Sequence, residues 1–336
     1  MNIPSTMRAI VIDGVCAAED MAIREIPVPE VKPGWVLVKV HAAGVNRAEI
    51  IMREEEADEP YIATPIVPGI ECSGEVADPS DSGLEVGDRV VGIMGGMGRS
   101  FDGGYAEYCL VPEENLFTAK TCLPWAELAA VPETWFTAYG SLFQSLQLKE
   151  GDTLLVRGGT SPLGIAAIQL AKGAGATVAA TSRSTERAKR LYDFGADMAM
   201  LDDGTLADQI RDAVPEGFDC ILELVGPKTL IESLTFAKNH GCVCMTGVLG
   251  GVESLDGFDP IKDIPPGVYL TGFFSNYPTQ DDIDAIFSII CESGIRPYVG
   301  AVYPLEEAGT AQKAIEGGKT FGKTVLSMDG GDDRLC

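Results

Sequence analysis

A chain of 336 residues with 50 acidic and 25 basic side chains carries a net charge of −25. It lacks the basic surface that nucleic-acid binding requires, and its charge opposes docking on anionic membranes. No run of eighteen apolar residues occurs, and no charged n-region with an apolar h-region opens the chain, so a cytoplasmic protein with no membrane span and no secretory signal is expected.

Hydrophobic residues make up 46% of the chain, enough for packed cores, and the length predicts two domains. The nine cysteines are scattered and contain no C-x-x-C. Most read as small buried hydrophobes in a reducing compartment, with Cys336 exposed and oxidisable. Cys242 and Cys244 alternate along one strand and share a face.

In chain order, residues 1–125 read as a β-rich domain. Arg8 to Asp13 and Trp35 to Val40 alternate apolar and polar residues, as half-buried strands do. Glu54–Pro60 is an acidic segment expected to form a mobile loop, and Gly92–Gly104 is a glycine-rich loop. From Ala126 the pattern changes. Apolar strands at 153–157, 177–182, 198–201, 218–225 and 241–246 alternate with helices at 162–173, 184–195 and 205–213, which predicts a doubly wound parallel sheet of α/β class. Val268–Phe274 is a sixth strand, followed by a helix at 279–293. This second domain spans 126–294. The tail, 295–336, reads as strand, helix and strand, and is expected to return to the first domain.

The richest stretch runs from Thr153 to Lys172, a buried strand, a tight turn and a helix. Small residues at Gly158, Gly159, Ser161 and Gly164 let backbone approach a pyrophosphate, which the helix N-terminus attracts. Gly159, Thr160, Ser161, Pro162, Leu163 and Gly164 are the candidate cofactor residues of this turn. Ser161 replaces the middle glycine of a full G-x-G-x-x-G, and Pro162 removes one donor. After the second strand there is no acid to hold a ribose hydroxyl. Ser182 and Arg183 stand there, with Arg187, Lys189 and Arg190 beyond, and these suit a 2′-phosphate, hence NADPH. The alternative is a solvated first helical turn capped by Ser184. Val225, Gly226, Gly247, Val248 and Leu249 sit at the carboxyl ends of strands four and five, where a doubly wound sheet binds ligands; small residues there are also ordinary turn chemistry.

Ala43–Glu49, Pro65–Val76, Val86–Val90, Gly103–Tyr108, the turn at 158–164, Leu270–Phe273 and Gly322–Lys323 together resemble the medium-chain dehydrogenase/reductase superfamily, in its zinc-free quinone oxidoreductase-like branch. The resemblance spans nearly the whole chain. It implies a GroES-like substrate domain beside a Rossmann domain. Zinc members hold a metal with Cys, His and Cys; the matching places here are Asn46, Ile70 and Glu133. Isoleucine cannot ligate, and Asn with Glu makes a poor zinc site. The segment near 95–115, where a structural zinc needs four cysteines, has only Cys109. His41 and His240 read as structural or surface residues, so no metal is expected.

Hydride transfer without a metal needs an acceptor that is already electrophilic, a quinone or an α,β-unsaturated carbonyl (an enone). The resemblance places Asn46 by the nicotinamide ribose, its amide a candidate donor to a developing oxyanion. It puts the Thr137 hydroxyl on the nicotinamide, Lys323 on the cofactor phosphates, and Tyr61 near the place of a catalytic proton donor. Glu49 stands where this branch usually has Asp, and Arg53 either balances it or is solvated. Phe273, Phe274 and Ser275 flank the carboxamide or pack a core. Strand 268–274 is expected to pair across a two-fold axis in a homodimer. Two rival readings are a 2-enoyl-thioester reductase and an NADPH-binding sensor or structural protein without turnover.

Overall fold

A computed structural model describes residues 3–328, which fall into two compact units. One runs up to Glu133 and also takes Asn276–Ser288 and the segment from Arg296 onward; the other takes Thr134–Ser275 and Ile289–Ile295. The first holds β1 (Thr6–Ile10), β2 (Ile23–Pro27), β3 (Trp35–Val45), β4 (Glu71–Asp78), β5 (Arg89–Ile93), β6 (Tyr108–Pro112) and β7 (Leu116–Thr118). The second holds β8 (Thr153–Arg157), β9 (Thr177–Ser182), β10 (Met198–Leu201), β11 (Phe218–Glu223), β12 (Ala237–Met245) and β13 (Tyr269–Gly272). The chain then returns to the first unit as β14 (Val299–Pro304) and β15 (Lys323–Ser327).

The first unit is the GroES-like part. Its main sheet runs β14-β15-β3-β4-β5-β7, with β6 also paired to β3. The long strand β3 organises it: Leu37–Ala42 pair with β4, Trp35–Lys39 with β6, and Ala42–Val45 with the returning β15. Met7, Ile10, Val36, Val38, Ile66, Val76, Tyr105 and Leu326 fill its core. The predicted strand Arg8–Asp13 is shifted, because Ile12 leaves the β1–β2 ladder and exchanges both backbone bonds with Ile66 instead.

The acidic segment departs from expectation. Arg47–Ile51 form an α-helix and Met52–Glu56 continue it as a π-helix, so the first three residues of the predicted loop are helical. Arg53, expected beside Glu49 or in solvent, does neither. It is buried, donating to Gln312 Oε1 at 2.7 Å and to the Cys16 carbonyl at 2.7 Å, and pairing with Glu54 and Glu316.

The second unit is a wholly parallel six-stranded sheet in the order β10-β9-β8-β11-β12-β13. This is the Rossmann order, with the reversal between β8 and β11. β11 stops at Glu223, short of the predicted 225: the Leu224 N–H still bonds the Arg157 carbonyl, but those of Val225 and Gly226 turn to the Glu223 side chain. The helix predicted at 184–195 is α-helical only over Thr185–Arg190. It tightens to 3₁₀ over Leu191–Phe194 and ends at Gly195, whose φ of +98° suits glycine.

No helix among the described residues is long and apolar enough to cross a membrane. Of the eight described cysteines, Cys72, Cys109, Cys220 and Cys244 are buried, while Cys122 and Cys291 are exposed; Cys336 lies outside the described residues.

Candidate active site

In the parallel-sheet unit the turn after β8 is built for close backbone approach. Gly158 has φ +94°. A Cβ on Gly164 would lie 2.5 Å from the Gly158 carbonyl oxygen and 2.7 Å from Gly159 Cα, so the helix Pro162–Gly173 rests on the turn with no room for a side chain. Ser161 caps that helix: its Oγ accepts the Gly164 N–H at 3.0 Å and donates to the Gly158 carbonyl at 2.9 Å. Thr160 completes the turn. Pro162 has no N–H, so the helix end offers an anion fewer donors than a full glycine-rich turn would. The cradle fits a pyrophosphate through backbone rather than side chains.

At the end of β9, Ser182 is buried. Its hydroxyl is engaged with Ser184, donating to the carbonyl and accepting the N–H, both at 3.1 Å. Ser184 Oγ in turn accepts the Arg187 N–H at 3.4 Å and caps the next helix. Arg183 is exposed on this turn and forms no ion pair among the described residues. The chain has twice as many acids as bases, and this guanidinium is left exposed among them.

Beneath this edge lie two charged residues to which the sequence reading gave no role. Arg157, the last residue of β8, is buried and grips Asp202 through Nε (2.8 Å) and Nη2 (2.9 Å); it also reaches Glu232 at 2.6 Å and Ser233 Oγ at 3.0 Å. Glu223, the last residue of β11, accepts from the N–H groups of Val225 (2.7 Å) and Gly226 (2.9 Å), from Thr229 Oγ1 (3.0 Å) and from Ser233. Burial pushes its carboxyl above the ordinary range, while these bonds oppose that shift. Glu223 therefore fixes the Val225–Gly226 turn. A charge closing an apolar strand was the signal for both.

Gly247 follows β12, and Val248 and Leu249 beside it are 41% and 58% exposed, apolar side chains open to a ligand. Phe273 is half-buried. A Cβ on Gly140 would stand 2.0 Å from its ring, and Phe136 meets it edge-on at 5.7 Å, so it is packing. Phe274 is exposed and Ser275 half-buried. Thr137 is buried, and its carbonyl accepts from Ser141 Oγ at 2.7 Å.

The other unit gathers the chemistry around Asn46. Asn46 caps the helix Arg47–Ile51 in a capping box with Glu49, whose Oε2 accepts the Asn46 backbone N–H at 2.8 Å. Glu49 Oε1 accepts the Ile70 N–H at 3.1 Å. The Asn46 amide is held on both sides. Nδ2 donates to Glu71 Oε1 at 2.8 Å and to Glu49 Oε1 at 3.3 Å, while Oδ1 accepts from Lys323 Nζ. Lys323 pairs with Glu71 at 2.7 Å, and Glu71 Oε2 accepts the Glu133 N–H at 2.7 Å. Gly44 makes this possible, because a Cβ there would fall 2.0 Å from Glu71 Oε1. Burial, helped by the Glu71 charge, pushes the Glu49 carboxyl up to about 7, against the opposing Ile70 N–H and Lys323.

These contacts bear on three of the candidate residues. Both Asn46 amide protons go to carboxylates, of Glu71 and Glu49, and Lys323 is engaged with Glu71 and Asn46. Tyr61 is 57% exposed and lies beside Glu56 and Arg99, outside the Asn46 cluster. Neither does the cluster suit zinc: Ile70 carries no donor atom, and the Asn46 oxygen faces an ammonium. Among the described residues no group of three or more His, Cys, Asp and Glu is arranged for a metal. His41 stacks on Trp125 at 4.3 Å, a packing role.

Comparison with known proteins agrees with this architecture. Residues 32–121 match the alcohol dehydrogenase GroES-like domain family, and residues 162–290 match the zinc-binding dehydrogenase family. Human quinone oxidoreductase is 29% identical over 329 residues, covering 96% of this chain and 98% of its own. The chain belongs to the medium-chain dehydrogenase/reductase superfamily, in its quinone oxidoreductase-like branch. Solved members of similar fold include AibC, with a TM-score of 0.87 at 26% identity over 96% of both chains. A mycobacterial protein, Rv1454c, solved with NADPH, gives 0.81 at 26% identity over 96% of this chain and 99% of its own. As a member of this superfamily the protein is a nicotinamide-dependent oxidoreductase.

Proposed function

We propose that this protein is a zinc-independent, NADPH-dependent oxidoreductase that reduces a quinone or an α,β-unsaturated carbonyl. The observation that carries the reading is the closed cluster at Asn46. A catalytic zinc requires thiolate, imidazole or carboxylate ligands with one position open. Here the corresponding side chains are an isoleucine, an asparagine held by two carboxylates and an ammonium, and a glutamate.

When bound, the nicotinamide supplies a hydride. The chain's own part is to bind, orient and exclude. The Gly158–Gly164 turn takes the pyrophosphate. Arg183, with the Ser184 hydroxyl, takes the 2′-phosphate, and Arg187 adds positive charge nearby. Val225, Gly226, Gly247, Val248 and Leu249 line the nicotinamide end. Because the Asn46 amide and Lys323 are engaged within their cluster, no side chain there polarises a carbonyl strongly. The acceptor must be electrophilic already, and water supplies its proton.

NADPH in a reducing cytoplasm also suits the unpaired cysteines. β13 ends the parallel sheet, with Tyr269 more than half exposed on it. An open edge of this kind pairs with a second copy, which makes a homodimer that light scattering in solution would detect.

The reading is tested with an acceptor panel of an ortho-quinone, a short enone and an enoyl-coenzyme A thioester, each with NADPH. Turnover with the quinone or the enone supports it and chooses between them. Turnover with the thioester alone points to an enoyl-thioester reductase. Saturable NADPH binding without turnover points to a sensor.

A further inference from the structure

Four residues near the carboxyl end of β12 form one hydrogen-bonded chain inside the parallel-sheet unit. Ser141 Oγ is fully buried, 2.7 Å from the Thr137 carbonyl oxygen and 2.9 Å from Thr246 Oγ1. Cys244 Sγ, also buried, is 3.4 Å from Thr246 Oγ1.

Counting protons fixes the direction of this chain. A carbonyl oxygen only accepts, and Ser141 has one hydroxyl proton, so that proton goes to Thr137. Thr246 must then donate its own proton to Ser141, and the Cys244 thiol donates to Thr246. The Thr246 oxygen is left with a single lone pair, able to accept and unable to donate. Its surroundings have the same polarity. The N–H groups of Thr246 and Gly247 point to the Glu223 carbonyl at 3.0 and 3.3 Å; those of Leu249 and Gly250 go to the Leu224 and Val225 carbonyls at 3.0 and 2.7 Å. Thr246 is half-buried, so this acceptor is open to a ligand at the end of the strand.

We propose that Thr246 Oγ1 accepts a hydrogen bond from the carboxamide nitrogen of the nicotinamide, and that Ser141 and Thr137 hold the hydroxyl in this acceptor-only state. The inference rests on the NADPH reading above and adds the group that orients the ring. A primary amide has a donor end and an acceptor end. A partner that can only accept engages one of them and fixes which way round the carboxamide sits.

The test compares the affinity of NADPH with that of its reduced 3-acetylpyridine analogue, whose methyl ketone accepts but cannot donate. Binding is read by cofactor fluorescence, so no turnover is needed. The wild-type protein is expected to prefer NADPH by about tenfold, the worth of one hydrogen bond with its unmet partner. Thr246→Val removes the acceptor and should bring the two within about twofold, while Thr246→Ser keeps the wild-type ratio. Ser141→Ala frees the Thr246 proton to turn outward, so it should tighten the analogue and narrow the ratio from the other side. A Thr246→Val protein with the wild-type ratio overturns the inference. If that variant does not fold, unchanged analogue affinity in Ser141→Ala does the same. Absence of NADPH binding by the wild-type chain overturns the cofactor reading and this inference with it.

Discussion

Lys323 Nζ lies 2.7 Å from Glu71 Oε1, with the two side chains 3% and 0% exposed. The residues come together because β15 pairs with the end of β3 while β4 pairs with its middle. Asn46 bridges the two, and Gly44 leaves the space. Such a pair is tolerated out of water only while both charges remain.

Lys323→Met strands the Glu71 carboxylate. It should cost about 3–5 kcal/mol of stability in urea unfolding. Changing both residues to Met should recover most of that loss, since neither charge is then buried. A single variant within about 1 kcal/mol of wild type would mean that the pair is solvated in solution.

Glu49 gives a pH dependence with a definite sign. Its folded value of about 7 stands above the ordinary 4.5, so the native state keeps a proton that the unfolded chain releases. The stabilisation from this group is complete below about 4.5 and is lost as pH rises through about 7. A gap of about 2.5 pH units corresponds to roughly 3 kcal/mol. Glu49→Gln cannot ionise, so its unfolding free energy should fall less steeply over that window. An identical slope in variant and wild type would contradict the assignment.

Arg183→Ala should weaken NADPH by about ten- to a hundredfold, the range of a charge-assisted bond, and NADH by less than about twofold. Equal losses for both cofactors would remove the 2′-phosphate site from this turn.

Gly164→Ala tests the cradle. The added methyl meets backbone at 2.5 and 2.7 Å, and overpacking of this kind costs about 1–3 kcal/mol. Stability and NADPH affinity should fall together. Gly83→Ala, where nothing lies within 4 Å, should change neither.

The sequence carried the fold through local signals. Alternating strand and helix runs predicted the parallel sheet, and the small residues from Gly158 to Gly164 predicted its phosphate turn. The site was less legible because its partners are remote in the chain. Asn46 meets residues 25 and 277 positions away, a juxtaposition set by strand register. One signal was local and available: Asn46-x-x-Glu49 has the spacing of a capping box, which ties Glu49 to the start of a helix and explains why the acidic segment continues as helix. Arg157 and Glu223 each close an apolar strand run, and a periodicity reading weighs the run rather than the charge that ends it. Phe273 could not be assigned from its neighbours, because Gly140, on which it packs, lies 133 positions earlier.

The most direct test of the central claim is NADPH oxidation with an ortho-quinone after exhaustive dialysis against a metal chelator, repeated with zinc added back. A zinc-independent reductase gives the same rate in both. A rate abolished by the chelator and restored by zinc would contradict the account and require ligands other than Asn46, Ile70 and Glu133.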